Sequence, residues 1–212
     1  MKHGFVKVAA ITPKIKVADT AYNSGLIMEA METASQAGAK VVVFPELCIT
    51  GYTCGDLFWQ NKLIASAKEE LLKIAAKSKD LDGIFFVGLP YDINGKLYNM
   101  AAAVSGGEVI GMVPKTFIPN YNEFYEARYF TSGENLCAVE FLPDGTEVYV
   151  DTDLIFRCED LPQLKIAAEI CEDLWTPEPP SIRHAMAGAN VIVNLSASDE
   201  NTGKAQYLSL IH

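Results

Sequence analysis

The chain has 212 residues, enough for one large domain or two small ones, and no Pro-, Gly- or Ser-rich stretch marks a linker. Half of the residues are hydrophobic, 21% are charged and the formal net charge is −10; with no Lys/Arg cluster to displace counterions from a phosphate backbone, nucleic acid is not an expected partner. The five cysteines (Cys48, Cys54, Cys137, Cys158 and Cys171) are odd in number and form no CxxC pair, which argues against both a disulfide framework and a zinc ribbon.

The N-terminal run MKHGFVKVAAITPK is interrupted by Lys7 and followed by no small-residue cleavage site. It reads as a strand, not a signal peptide. No apolar run approaches the length that spans a bilayer. The expected setting is reduced and cytoplasmic, with no membrane and no metal.

In chain order, Phe5–Ile11 reads as a first strand, ended by Pro13. Tyr22–Gln36 carries Leu26, Ile27, Ala30, Met31 and Ala34 at helical spacing, with Gly38 at the expected stop. Val41–Phe44 is a continuous apolar run closed by Pro45, as in a strand buried on both faces. Asp56–Ser78 reads as a long helical stretch with Leu63, Ala67, Leu71, Ile74 and Ala75 as its stripe.

The middle of the chain is meander. Gly83–Asp92 and Lys96–Val104 flank Asn94-Gly95, the sequence of a tight primed turn, and Ser105-Gly106-Gly107 turns the chain into Glu108–Val113. A second hairpin is centred on Asp144-Gly145, between Ala138–Leu142 and Glu147–Val150. Leu154–Cys158 and Leu164–Ile170 read as strands, Glu178–Ala187 as helix and Ala189–Leu195 as strand. Strict strand–helix alternation is absent, which excludes a doubly wound fold or barrel and points to mixed sheets packed face to face with helices outside.

Three segments carry candidate chemistry. Glu46 follows the Val41–Phe44 strand and Pro45; alone it fits a solvated loop glutamate as well as a positioned carboxylate. Lys115 follows the Glu108–Val113 strand and Pro114, in the same pattern of buried strand, proline and single charge; alone it also fits a snorkelling strand-end lysine. Cys171 ends the Leu164–Ile170 strand before a turn into helix, a geometry that exposes a nucleophile, although a lone cysteine also suits a core. The other four cysteines read as core or loop residues. As a unit the three make sense: a thiol mostly protonated at neutral pH needs a base, Glu46, and a cation, Lys115, to hold the thiolate and an oxyanion. His3 and His212 are terminal, leaving only His184 as a weak alternative base.

The segments FPELCITGY (44–52), VPKTFIPNY (113–121) and ICEDLW (170–175) resemble, in order, the three signatures of the nitrilase or carbon–nitrogen hydrolase superfamily. The resemblance covers nearly the whole chain and implies an α-β-β-α sandwich with Glu46, Lys115 and Cys171 as the catalytic set. Within the superfamily, residues 118–121, 125–130, 171–175 and Asn194-Leu-Ser-Ala-Ser198 look most like the glutamine-hydrolysing domain of NAD synthetases. That likeness implies Glu126 as a second active-site carboxylate holding Lys115, and Tyr52, Tyr121, Glu172, Trp175 and Ser198 as the lining of a glutamine pocket. Read without it, Glu126 is equally a surface residue pairing with Arg128. It further implies no cofactor in this domain. ATP, Mg and deamido-NAD would belong to an ATP-dependent synthetase domain that receives the ammonia.

Two departures stand out. Asp199-Glu-Asn-Thr-Gly203 follows where the family commonly has proline, and the chain stops at His212 where the family domain continues, with no Gly-rich phosphate loop among its residues. The expectation is one hydrolase domain over residues 1–212, shortened at its C-terminus, with an uncovered sheet edge after Leu195 that is buried in a homo-oligomer or by the rest of a longer enzyme. A free-standing amidase, carbamoylase or nitrilase, or a non-catalytic sandwich module, are the competing readings.

Overall fold

Apolar runs without a polar face need covering layers on both sides, and the sheets of this chain are built to provide them. The structure is a computed structural model that describes residues 4–199 and 201–209. Its elements run β1 (Val8–Ala10), α1 (Thr20–Gln36), β2 (Val41–Val43), α2 (Asn61–Lys77), β3 (Ile84–Ile93), β4 (Lys96–Ser105), β5 (Glu108–Pro114), β6 (Cys137–Phe141), β7 (Glu147–Asp151), β8 (Phe156–Arg157), β9 (Lys165–Ile170), α3 (Pro180–Met186), β10 (Val191–Leu195) and α4 (Lys204–Ser209). Short 3₁₀ turns occupy Gly55–Trp59, Ser78–Asp80, Glu126–Arg128 and Cys171–Trp175.

Seven strands form one mixed sheet in the order β1-β2-β3-β4-β5-β7-β6, and three form a second in the order β10-β9-β8. β1, β2 and β3 are parallel, β3-β4-β5 is an antiparallel meander, and β7 returns parallel to β5. In the second sheet β9 and β10 are parallel and β8 is antiparallel to β9.

Alternate residues of the same strands feed two cores. Val42, Phe85, Val87, Met100 and Ala102 pack with Ile27, Met31, Leu71 and Ile74 of α1 and α2. Val41, Phe86, Ala101, Ala103 and Val113 face Ile166, Ala168, Ile170, Val193 and Leu195 across the gap between the sheets. Glu169 points the other way on β9 and accepts a bond from the Ser181 N–H at the start of α3, 3.1 Å away, so α3 covers the outer face. The layers are therefore helix, sheet, sheet, helix, the sandwich expected from sequence.

The hairpins fall where the turn residues put them: Asn94 and Gly95 have φ of 50° and 74°, and Gly145 has φ of 84°. Several boundaries differ. The first strand is only Val8–Ala10, and the stretch from 56 to 78 breaks at extended Gln60 into a 3₁₀ turn and α2. β8 shrinks to two residues, α3 begins only at Pro180, and α4 has no counterpart in the sequence pattern. Cys48 and Cys54 are buried and Cys158 is half-buried, whereas Cys137 is exposed on a strand, in neither core nor loop.

Among the described residues no strand continues beyond β10, which is an edge of its sheet. The more exposed apolar surface lies elsewhere, on Val139, Phe141 and Tyr149 of the β6–β7 hairpin, which are 46%, 64% and 66% exposed. The second sheet ends at its two-residue strand and leaves that face bare. No helix among the described residues is long and apolar enough to cross a membrane.

Gly88 in β3 fixes how closely the segment after β2 can approach. A Cβ there would lie 2.7 Å from the Pro45 carbonyl oxygen and 2.8 Å from the Glu46 carbonyl carbon, and would strike the Leu47 amide nitrogen. The Ile49 N–H also bonds the Gly88 carbonyl at 3.1 Å. Gly88→Ala is therefore expected to cost about 1–3 kcal/mol, seen as a lower urea midpoint at an unchanged slope; an unaltered midpoint would mean that the contact can relax freely.

Candidate active site

Glu46 sits in the turn that follows β2, pressed on β3 as described, and is 2% exposed. Leu47 adopts a left-handed φ of 53°, and the Gly51 N–H closes back on the Leu47 carbonyl at 2.7 Å, so the turn is tight and internally bonded. Oε1 of Glu46 accepts from Asn99 Nδ2 at 2.6 Å and from Lys115 Nζ at 2.7 Å. Oε2 accepts from the Ala197 N–H at 3.2 Å, which reaches over from the segment after β10.

Lys115 leaves the end of β5 with its N–H on the Asn99 carbonyl of β4, at 2.8 Å. Its carbonyl accepts the Gly133 N–H at 2.8 Å, which closes the loop 115–133. That loop returns Glu126 to the ammonium: Nζ lies 2.8 Å from both Glu126 oxygens. Glu126 does not pair with Arg128, which instead bonds Asp56 on the surface. Phe130 packs edge-on against Phe58, with ring centres 5.0 Å apart, and anchors the far end of the turn.

The electrostatics follow from one buried cation between two buried carboxylates. Burial by itself opposes the Lys115 charge, but Glu46, Glu126 and Cys171 outweigh it and hold the ammonium above its usual range. Burial, then the nearby Glu46 charge, push the Glu126 carboxyl up against the pull of Lys115. Tyr52 donates to Glu126 Oε1 at 2.8 Å and is held as a phenol, its pKa raised by burial and by Glu126.

Cys171 begins its 3₁₀ turn with φ of 45°, a left-handed conformation disfavoured for any residue with a Cβ and one that accumulates at functional sites. It is 7% exposed. Its thiol is pushed up to about 11 by burial and by the Glu46 charge, against Lys115, the Ser196 hydroxyl and the Ala197 N–H. Ser196 Oγ lies 3.3 Å from Sγ. The site thus holds a neutral thiol beside an ion cluster.

An open pocket of about 680 Å³ reaches this cluster, lined by Pro45, Glu46, Tyr52, Phe124, Ser196 and Ser198 among others. Tyr52 and Ser198 are thereby placed with Glu46. Tyr121 and Glu172 form a separate, exposed pair, with the Tyr121 hydroxyl 2.9 Å from both Glu172 oxygens. Burial, Glu172 and the nearby Cys171 raise that phenol to about 12. Trp175 is 38% exposed at the end of the Cys171 turn; neither it nor the Tyr121–Glu172 pair lines the pocket over Glu46. His184 is buried under the β7–β8 connection with Nε2 2.8 Å from the Thr152 carbonyl and is not part of the cluster.

Sequence reasoning missed four residues that hold the site together. Asp173 accepts from the N–H groups of Thr116 (3.1 Å), Phe117 (2.7 Å) and Ile170 (2.9 Å), tying the loop after Lys115 to the Cys171 turn. Burial pushes its carboxyl up to about 7 in spite of the Phe117 and Ile170 N–H donors. Asn194 reaches both Glu169 and the Cys171 carbonyl at 3.4 Å. Asn99 and Ser196 contact Glu46 and Cys171 directly. A lone amide in the apolar run Leu97–Val104 was the available sign for Asn99; nothing distinguished Ser196 from its neighbours.

Comparison with known proteins gives the family. The carbon-nitrogen hydrolase family profile matches residues 7–211, and the chain belongs to that family. It is similar in particular to glutamine-dependent NAD(+) synthetases: the protein of Mycobacterium tuberculosis is 38% identical over 205 residues, 97% of this chain and 30% of that protein. The Thermotoga maritima protein is 32% identical over 215 residues, 99% of this chain and 33% of its own length. The crystal structure of a glutamine-dependent NAD(+) synthetase from Cytophaga hutchinsonii matches with a TM-score of 0.84 at 29% identity, covering 97% of this chain and 33% of that one. An amidase from Nesterenkonia sp. shares the fold, with a TM-score of 0.71 at 20% identity, covering 99% of this chain and 72% of its own. The chain spans about a third of the length of the synthetases it matches.

The cluster predicts its own failure mode. Lys115→Met leaves Glu46 and Glu126 buried together without a cation and should cost about 3–5 kcal/mol. The sign of its pH dependence follows from Glu126, whose folded-state pKa is already raised and rises further once Lys115 is gone. The folded variant then binds more protons than the unfolded chain above the ordinary carboxylate range, so stability falls as pH rises. Urea midpoints of Lys115→Met should therefore climb toward wild type as pH is lowered from about 8 to about 5.5; a pH-independent deficit would contradict the buried carboxylate pair.

Proposed function

We propose that this domain hydrolyses the side-chain amide of glutamine through a thioester on Cys171 and releases ammonia. The observation that carries the reading is the direct contact of Lys115 with both Glu46 and Glu126 beside the Cys171 thiol. In the first step Glu46 takes the thiol proton as sulfur bonds to the amide carbon. The oxyanion that forms is held by the Lys115 ammonium and by backbone N–H groups after Cys171. Glu46 then returns the proton to the departing nitrogen, the C–N bond breaks and ammonia leaves. Water, deprotonated by Glu46, attacks the thioester and frees glutamate and the thiol.

In this reading Glu126 and Tyr52 position Lys115, Tyr52 and Ser198 line the pocket that takes glutamine, and Tyr121, Glu172 and Trp175, which lie outside that lining, would meet the far end of the substrate. The Glu172 carboxylate suits the substrate ammonium and the tyrosine hydroxyls its polar ends. Similarity to NAD(+) synthetases supports glutamine over other amides and supports ammonia as the product to be used. The amidation itself, with ATP, Mg and deamido-NAD, would then take place on a synthetase domain outside these residues, and residues 1–212 would be the glutaminase part of an oligomeric enzyme.

Cys171→Ala should abolish ammonia release while retaining the native melting profile, and glutamine should be turned over in preference to unrelated small amides and nitriles. Turnover confined to those other amides would place the domain among free-standing amidases instead. A finer test separates the roles of the ion cluster. Alkylation of wild-type Cys171 by iodoacetamide should rise about tenfold per pH unit through neutral pH and not level off before about pH 10. Glu46→Gln should lose turnover by about 100-fold or more yet shift the alkylation curve to lower pH, since the charge that raises the thiol is gone and Lys115 remains. An unmoved curve would mean that Glu46 does not act on the thiol.

A further inference from the structure

The two oxygens of Glu46 are held unequally, and the inequality has a source outside the three sequence signatures. Oε1 takes two short bonds, from Asn99 Nδ2 at 2.6 Å and Lys115 Nζ at 2.7 Å. Oε2 has one longer bond, from the Ala197 N–H at 3.2 Å. That same Ala197 N–H is one of the groups acting on the Cys171 thiol, so Oε2 is the carboxylate oxygen on the sulfur side.

Asn99 is fully buried, and its own Oδ1 has no hydrogen-bond partner among the described residues. A buried amide with one satisfied and one orphaned end is an uncommon arrangement, because interior polar groups are nearly always paired. No donor among the described residues holds the amide in this orientation from its carbonyl side. Turning it over would set Oδ1 against the Glu46 carboxylate, so the bond to Oε1 alone fixes which way it faces. The backbone adds rigidity: Asn99 lies inside β4, opposite Pro90 on β3, and its carbonyl receives the Lys115 N–H at 2.8 Å. One residue therefore sets the side chain of Glu46 and the backbone of Lys115 together.

We propose that Asn99 is a positioning residue that saturates Oε1 of Glu46 jointly with Lys115 and so reserves Oε2 for the Cys171 proton. The inference rests on the acid–base role given to Glu46 above and refines it to a single oxygen. The proton leaves Sγ for Oε2 as the carbon–sulfur bond forms, and leaves Oε2 for the amide nitrogen as the carbon–nitrogen bond breaks. Oε1 keeps its two donors throughout. With Asn99 gone, Oε1 keeps only Lys115, the carboxylate turns about its last bond, and Oε2 leaves the sulfur side while the substrate pocket is untouched.

The test uses Asn99→Asp, which keeps the volume but replaces the donor, and Asn99→Ala, which removes it. Both should lower kcat by about 100-fold with KM within about threefold of wild type, and a crystal structure of Asn99→Ala should find the Glu46 carboxylate rotated off the Ala197 N–H. A kcat within about threefold of wild type in both variants would overturn the assignment. So would a KM that rises in step with the loss of kcat, which signals a collapsed pocket, and so would a crystal structure with Glu46 unmoved. Failure of the glutaminase reading is distinguishable. If wild type turns over a different amide, the same kcat and KM ratios are measured on that amide; if it turns over none, the position of Glu46 in the crystal decides for or against Asn99. Should Asn99→Ala not fold, the position of Glu46 in an Asn99→Asp crystal structure decides in the same way.

Discussion

The Lys115 ammonium, fully buried with a carboxylate on each side, is the interaction on which this site depends. A lone ammonium in such a place would be driven neutral by desolvation, and two lone carboxylates would be driven to protonate. Together they keep the cation charged and put a field of both signs at the edge of the Cys171 thiol. The three charges arrive from three separate parts of the chain: the turn after β2, the end of β5 and the loop that closes at Gly133. All three belong to the seven-stranded sheet and its loops, and packing the second sheet against it brings Cys171 to them, so the assembly of the site and the packing of the sandwich are one problem.

The resting thiol follows from the same field. Glu46 raises it and Lys115 lowers it, and burial tips the balance toward the protonated form at about 11. A site poised in this way has little free thiolate to oxidise or alkylate, and on the proposed mechanism the nucleophile forms only as the proton moves to Glu46. The left-handed backbone at Cys171 is held by Asp173 and Asn194 around the turn, and the residue sits at the end of the inter-sheet core with its sulfur against Ser196, a residue that lines the pocket. Strain at that residue is tolerated because the surrounding bonds over-determine it.

The sandwich is legible in the sequence because its signals are local: hairpins at Asn94-Gly95 and Asp144-Gly145, an uninterrupted apolar run at Val41–Phe44, and helical stripes on either side. Glu46, Lys115 and Cys171 are legible because each stands where a buried strand ends, and Glu126 comes only through family likeness. Asn99 and Asp173 are not, since their importance lies in bonds to residues about 50 positions away, such as Glu46 and Phe117. The single long helix expected at 56–78 fails for a different reason: its apolar stripe continues through Gly55–Trp59, but extended backbone at Gln60 lets Phe58 turn into the cluster with Phe130. Tertiary packing overrides periodicity there.

If the ion cluster serves one sulfur, that of Cys171, the acyl group must be found on it. Acid-quenched mass spectrometry of the protein mixed with glutamine looks for it directly. A hydroxylamine-sensitive glutamyl adduct is expected on the peptide carrying Cys171, and none on Cys171→Ala. Ammonia release from glutamine with that peptide unmodified, or with the adduct on another of the five cysteines, would contradict the assignment.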